Sequence, residues 1–216
     1  MAAKKKTTLA MSRRRRTTIL VLCVVVAAFL VWLDHGLVGR RRRQPKSEHQ
    51  VRAQDFEKYH KKAFTVVKVV DGDTLDINIP DGKFNTTRVR LLGVDTPETK
   101  HPEKGPMYFG QEATGFATEL AFGKQVTVYL EAARTRGYYG RLLAYVQLPD
   151  GSMLNEVLLT EGLAYADLRF DHSFYHKYEQ LQAAARSRKT GLWEQVTREQ
   201  LPQWLRRENP KLLHSK

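Results

Sequence analysis

The sequence predicts an α+β domain built on a five-stranded Greek-key β-barrel with about three helices, preceded by one N-terminal transmembrane helix. Three observations lead there. Short β-branched runs recur between residues 64 and 148, punctuated by Asp-Gly and Pro-Asp-Gly turns. Helical patterns follow the third and the fifth of these runs. A long uncharged apolar run, Thr17–Leu33, stands apart near the front between two arginine quartets.

Charge separates the same two parts. The chain has 216 residues with 36 Lys+Arg against 23 Asp+Glu, a net charge of +13. Residues 1–60 hold 14 Lys+Arg and 4 Asp+Glu, which is +10 of that charge and leaves +3 for residues 61–216. The basic excess therefore speaks first of a membrane flank and only weakly of a nucleic-acid surface. A single cysteine excludes an intramolecular disulfide and any Cys-based zinc or iron–sulfur centre. With 42% hydrophobic residues the chain can build a core, which excludes wholesale disorder.

Residues 1–16 form a basic tail, and residues 17–33 read as a signal anchor with Trp32 at the headgroup edge. Seventeen residues at 1.5 Å rise give about 25 Å, the short end of what spans a bilayer. The run closes on Val31-Trp32-Leu33-Asp34-His35 without a small-x-small cleavage site, so an uncleaved anchor is favoured over a cleaved signal. The short N-terminal tail favours an inside N-terminus, with the domain on the non-cytoplasmic side, although arginines flank both ends. Residues 34–61 are polar and charged and read as a tether.

The domain, residues 62–195, opens with Phe64–Val70 as a strand bounded by Asp71-Gly72. Thr74–Ile79 alternates and runs into the turn signal Pro80-Asp81-Gly82-Lys83, and Thr86–Gly93 is the third strand. Gly110–Phe122 is helical, with Ala113, Phe116 and Leu120 on one side and Gly123 as its stop. Gln125–Glu131 and Arg141–Leu148 are further strands, Met153–Glu161 a second helix, and Ser173–Arg188 a third with Ser173 as N-cap. This order fits a barrel of the OB type. Residues 196–216, with Trp204 and Arg206-Arg207, read as a docking tail rather than a DNA arm.

Chemistry concentrates at the strand ends. Each cluster has a plainer reading when taken alone. Asp71-Gly72-Asp73-Thr74 is a turn, but it carries a second carboxylate, Asp73, where a strand begins. Val94-Asp95-Thr96-Pro97-Glu98 is a turn or a single helical turn capped by Thr96. In it Asp95 suits, with Asp73, a hard divalent cation that prefers oxygen ligands, and Glu98 suits a general base acting on a neighbouring water. Arg90 and Arg141 are surface arginines of a barrel, yet as a pair they match the charge that develops on phosphodiester oxygens. His172 and His176, four apart, lack a third ligand and are not read as a metal site.

The ordered blocks D-G-D-T (71–74), R-L-L-G-V-D-T-P-E-T (90–99), K-H-P-x-K-G (100–105), Y-G-R (139–141) and L-N-E-x-L-L-x-x-G-L-A (154–164) resemble the staphylococcal nuclease (thermonuclease) family. The resemblance covers residues 62–195. It implies an OB-type barrel that hydrolyses DNA and RNA with calcium. It further implies that Asp73 and Asp95 are calcium carboxylates and that Thr96 supplies a backbone carbonyl. By the same matching, Glu98 is the general base, Arg90 and Arg141 bind the phosphate, and Lys104 and Tyr139 line the nucleotide site. Two departures stand out: Gly137-Tyr138 replaces the family's Asp-Lys, and a second tyrosine pair after Gly-Leu-Ala is absent, leaving Tyr165 or Phe170 as candidates for base stacking.

The expected function is a membrane-tethered, calcium-dependent nuclease. Its partners would be DNA or RNA and, through residues 17–33, a lipid bilayer; no protein partner is evident. The alternatives are a non-catalytic nucleic-acid-binding module on the same barrel and a membrane-surface protein with lipid-binding basic arms. The second of these leaves the acid–arginine set unexplained.

Overall fold

The computed structural model describes residues 13–38, 47–99 and 105–213. It divides into two compact units, residues 1–46 and 47–216. In the first, α1 (Arg13–Val38) runs through the uncharged segment, and the side chains from Leu20 to Trp32 are exposed. A helix thus stands where the transmembrane anchor is expected. Among the described residues, however, no helix is long and apolar enough to cross a membrane. The uncharged run supplies about 25 Å of rise against a hydrocarbon core of roughly 30 Å, and it opens on two threonines.

The second unit begins before the expected boundary. Residues 48–59, assigned to the tether, form α2 (Glu48–Tyr59). Ser47 Oγ accepts from the Gln50 N–H at 3.3 Å while Gln50 Oε1 accepts from the Ser47 N–H at 3.1 Å, a reciprocal cap. The helix buries only Asp55 and Tyr59, too thin a stripe to show as apolar periodicity.

The chain then runs through β1 (Lys62–Asp71), β2 (Thr74–Ile77), β3 (Thr87–Leu91), β4 (Val94–Asp95), α3 (Gly110–Ala121), β5 (Gln125–Leu130) and β6 (Leu142–Gln147). It continues through α4 (Leu154–Thr160), β7 (Tyr165–Ala166), α5 (Tyr175–Ser187), two 3₁₀ turns at Gly191–Glu194 and Arg198–Gln200, and α6 (Gln203–Glu208). One cap differs from expectation. The Ser173 N–H donates to Glu131 at 3.0 Å, and Phe174, without a side-chain bond, precedes α5.

Strands β1, β2, β3, β6 and β5 close into a barrel in that order. Neighbours are antiparallel except β3 and β6, which are parallel. Val66, Ile77, Val89, Leu91, Val126, Val128, Leu142 and Ala144 fill its interior. On β3 this sets the side chains: Val89 and Leu91 point inward, while Arg88 and Arg90 point out. Thr74 pairs with Arg90, and Arg90 with Leu143. That register brings Asp73, just before β2, and Arg141, just before β6, to the same barrel end as Arg90.

A smaller apolar cluster of Tyr165, Ala185, Leu192, Trp193, Leu201, Leu205 and Leu212 fastens the C-terminal segment, so residues 196–213 dock on the domain. Two glycines make the join possible. Gly162 has φ +62, and a Cβ there would lie 2.1 Å from the Thr190 carbonyl oxygen. Gly191, at φ +59, would bring its own Cβ to 2.4 Å from the Glu161 oxygen.

Candidate active site

The loop between β1 and β2 is tight because Gly72 lies against Thr96; a Cβ at 72 would stand 2.9 Å from the threonine side chain. This approach locks the two acidic motifs together. Asp73 Oδ2 accepts from the Thr96 N–H at 2.8 Å, and Asp73 Oδ1 accepts from the Thr74 hydroxyl at 2.9 Å. Arg90 pairs with Asp73 and also with Asp95, the latter at 2.5 Å. Asp95 Oδ2 accepts from the Trp204 indole N–H at 2.8 Å. Asp73, Arg90 and Asp95 are all largely buried, so these charge-assisted bonds are little screened by solvent.

Arg141 completes the group. Its guanidinium lies 3.5 Å from the Thr74 hydroxyl and 5.9 Å from the centre of the Tyr139 ring. Burial, and then repulsion from Arg90, lowers its pKa. Arg90 is already engaged by two carboxylates, whereas the hydrogen bond of Arg141 is to a neutral hydroxyl.

Glu98 stands at the mouth of the cleft. Its carboxyl pKa is pushed up to about 7, first by loss of water, then by a hydrogen bond with Asp71 and by the charges of Asp71 and Asp95, with Arg90 opposing. Its backbone is held by the segment leading into α3, the Met107 N–H donating to the Glu98 carbonyl at 2.8 Å. Asp71 in turn accepts from the hydroxyls of Thr114 at 3.1 Å and Thr99 at 3.3 Å.

A cleft of about 580 Å³ is lined by Asp73, Arg90, Asp95, Glu98, Tyr139 and Arg141, among others. The structure thus gathers six of the eight site residues expected from sequence. Thr96 lies just beneath, buried behind Asp73. Lys104 lies outside the described residues. Tyr165, a stacking candidate, is only 1% exposed and unavailable to a base. Phe170, 53% exposed, stands on the cleft wall. His172 and His176 form no pair: the first is buried with Nδ1 3.2 Å from the Tyr145 hydroxyl, and the second is exposed.

Some participants carry no sequence signal. Tyr138, 89% exposed, meets Tyr139 edge to face with ring centres 5.1 Å apart on the cleft rim. Arg136 holds the loop behind that pair, bonded to Asp55 at 2.5 and 2.8 Å, to Asp81, and to the Gly140 carbonyl at 3.1 Å. Asp71 enters the sequence reading only as the first residue of the D-G-D-T turn. Trp204 and Asp55 reach their partners from 109 and 81 positions away, beyond any local pattern.

Among the described residues, no three His, Cys, Asp or Glu side chains converge as a metal-ligand cluster. The donor chemistry nonetheless fits a hard divalent cation, since Asp73, Asp95 and the Thr96 carbonyl are all oxygen ligands. Both carboxylates are paired with Arg90.

Comparison with known proteins adds relationship to this geometry. The family described as staphylococcal nuclease homologue matches residues 88–195. A thermonuclease of Staphylococcus hyicus is 35% identical over 135 residues, covering 62% of this chain and 77% of the relative. A thermonuclease of Staphylococcus intermedius is 37% identical over 133 residues, covering 61% and 76%. The endonuclease YncB of Bacillus subtilis is 35% identical over 131 residues and is spanned over 60% of its length.

Proposed function

We propose, for a chain that belongs to the staphylococcal nuclease family and is a phosphodiester-hydrolysing nuclease, that its reaction uses calcium and the cleft residues in the following roles. Asp73, Asp95 and the Thr96 carbonyl hold the ion. When bound, calcium would supply Lewis-acid polarisation of the phosphate and of a water. Arg90 and Arg141 bind the non-bridging oxygens through paired N–H groups as their charge grows. Glu98 takes a proton from the water as its oxygen bonds to phosphorus. The opposite P–O bond breaks, and the departing oxygen takes its proton from solvent. A carboxyl with a pKa of about 7 is half ionised at neutral pH, and a neighbouring cation favours the ionised form that a base requires. Tyr139 and Lys104 contact the nucleotide.

The observation that supports this best is the convergence of Arg90 and Arg141 with three carboxylates in one cleft. The test uses the full chain in detergent, with single-stranded DNA, duplex DNA and RNA, in calcium or chelator. Calcium-dependent cleavage is expected, with a loss on the order of 10² or more for Arg141→Ala. Binding without cleavage would favour the non-catalytic module, and wild-type rates from Arg141→Ala would refute the assignment.

Location is a separate proposal: α1 retains the nuclease at a membrane, with the domain on the non-cytoplasmic face. Its support is the run of exposed apolar side chains between arginine clusters. A stretch a few ångströms short is accommodated by local bilayer thinning and by arginines reaching for the headgroups. Recovery of the chain in the soluble fraction of lysed cells would refute it.

A further inference from the structure

The family match ends at residue 195, yet the chain beyond it reaches Asp95, a residue of the cleft. We propose that Trp204 is a positioning residue for Asp95, so that the C-terminal segment 201–208 forms part of the active site; this rests on the reading of Asp95 as a cation ligand.

Asp95 sits on a strand of only two residues, β4, paired solely with the equally short β7. Little in that ladder fixes its carboxylate. Two donors from elsewhere do so: Arg90 bonds Oδ1 at 2.5 Å and Trp204 Nε1 bonds Oδ2 at 2.8 Å. These donors differ in kind. Arg90 is a cation and competes with any metal for the carboxylate. The indole is neutral, carries a single N–H, and leaves a lone pair of Oδ2 open, so it orients the ligand without opposing the ion.

The indole is itself held. Arg169 stacks on it at 4.3 Å and is clamped to Asp167 by two bonds of 2.7 and 2.8 Å. The backbone under it is anchored by Leu201 and Leu205, which pack into the cluster around Trp193. Trp204 is thus fixed on both sides, as a residue that aims another must be.

The test compares the full wild-type chain with Trp204→Phe, which keeps an aromatic ring on Arg169 and removes the N–H. Calcium binding is measured by calorimetry without nucleic acid, and thermal unfolding is measured in chelator. The expected result is about a tenfold loss of calcium affinity with little change in unfolding temperature. Equal calcium affinity in the two proteins would overturn the proposal alone. A wild-type chain that takes up no calcium would overturn the reading of the site and the proposal with it. Should Trp204→Phe fail to fold, the indole N–H resonance of Trp204 in the wild-type chain, assigned by through-bond experiments, decides. A shift that follows calcium with the calorimetric midpoint supports the proposal, and no shift refutes it.

Discussion

Replacing Asp55 by asparagine perturbs the Arg136–Arg141 loop from a helix that contributes nothing directly to the cleft. Asp55 is 5% exposed and takes three bonds: from Arg136 at 2.5 and 2.8 Å and from the Thr135 hydroxyl at 2.8 Å. Removing one partner of a buried ion pair costs about 3–5 kcal/mol when the other charge is stranded. Here Arg136 keeps Asp81 and the Gly140 carbonyl, so its charge is not stranded and the cost falls below that range, to about 2–3 kcal/mol. For a chain of this size each kcal/mol lowers the melting temperature by about 2–4 °C, so a fall of roughly 4–12 °C is expected. The loop that carries Tyr139 and Arg141 loosens at the same time, which misplaces Arg141 and should lower kcat by about tenfold. Calorimetric unfolding and a steady-state cleavage assay read the two effects. A melting temperature within 1 °C of wild type, with unchanged kcat, would refute the idea that α2 braces this loop.

Gly162→Ala must adopt φ +62 and push a methyl into the Thr190 carbonyl, so a loss of at least about 2 kcal/mol in urea unfolding is expected. Burial holds the His172 pKa below its usual 6.5, so the folded state binds fewer protons than the unfolded one below that pH. Stability from this residue is therefore complete above pH 6.5 and is lost as pH falls. The urea midpoint of His172→Gln should drop less steeply than that of wild type between pH 7 and 5, and parallel curves would count against it. Tyr138→Ala removes an exposed ring and leaves the core intact; affinity for single-stranded DNA should weaken by about fivefold or more, from about 1–3 kcal/mol of stacking per base. Unchanged affinity would exclude Tyr138 from the substrate path.

The barrel is readable because its strands are short, β-branched and separated by Asp-Gly turns, which are local signals. Asp73, Arg90, Asp95, Glu98 and Arg141 are readable because each stands at a strand end in a recognisable block. What escapes is carried by side chains that meet across the fold. The capping box at Ser47 and Gln50 marks the start of α2, but nothing near Asp55 announces Arg136. Tyr165 shows the reverse error: an aromatic after Gly-Leu-Ala looks available for stacking, while β7 turns it into the second apolar cluster. The helix over 17–33 is readable from composition alone and stands in the structure as part of α1.

The parallel pairing of β3 with β6 sets which part of the chain completes the cleft. Arg90, on β3, and Arg141, just before β6, belong to strands that are neighbours in space but are separated along the chain by β4, α3 and β5. Neither arginine faces the other until β6 has been made and inserted to close the barrel. A chain truncated before that strand keeps Arg90 with its carboxylates but lacks Arg141 and Leu143, and with them one side of the cleft. Completion of the cleft therefore waits on β6, and a chain truncated before residue 141 should show no cleavage in the assay given above.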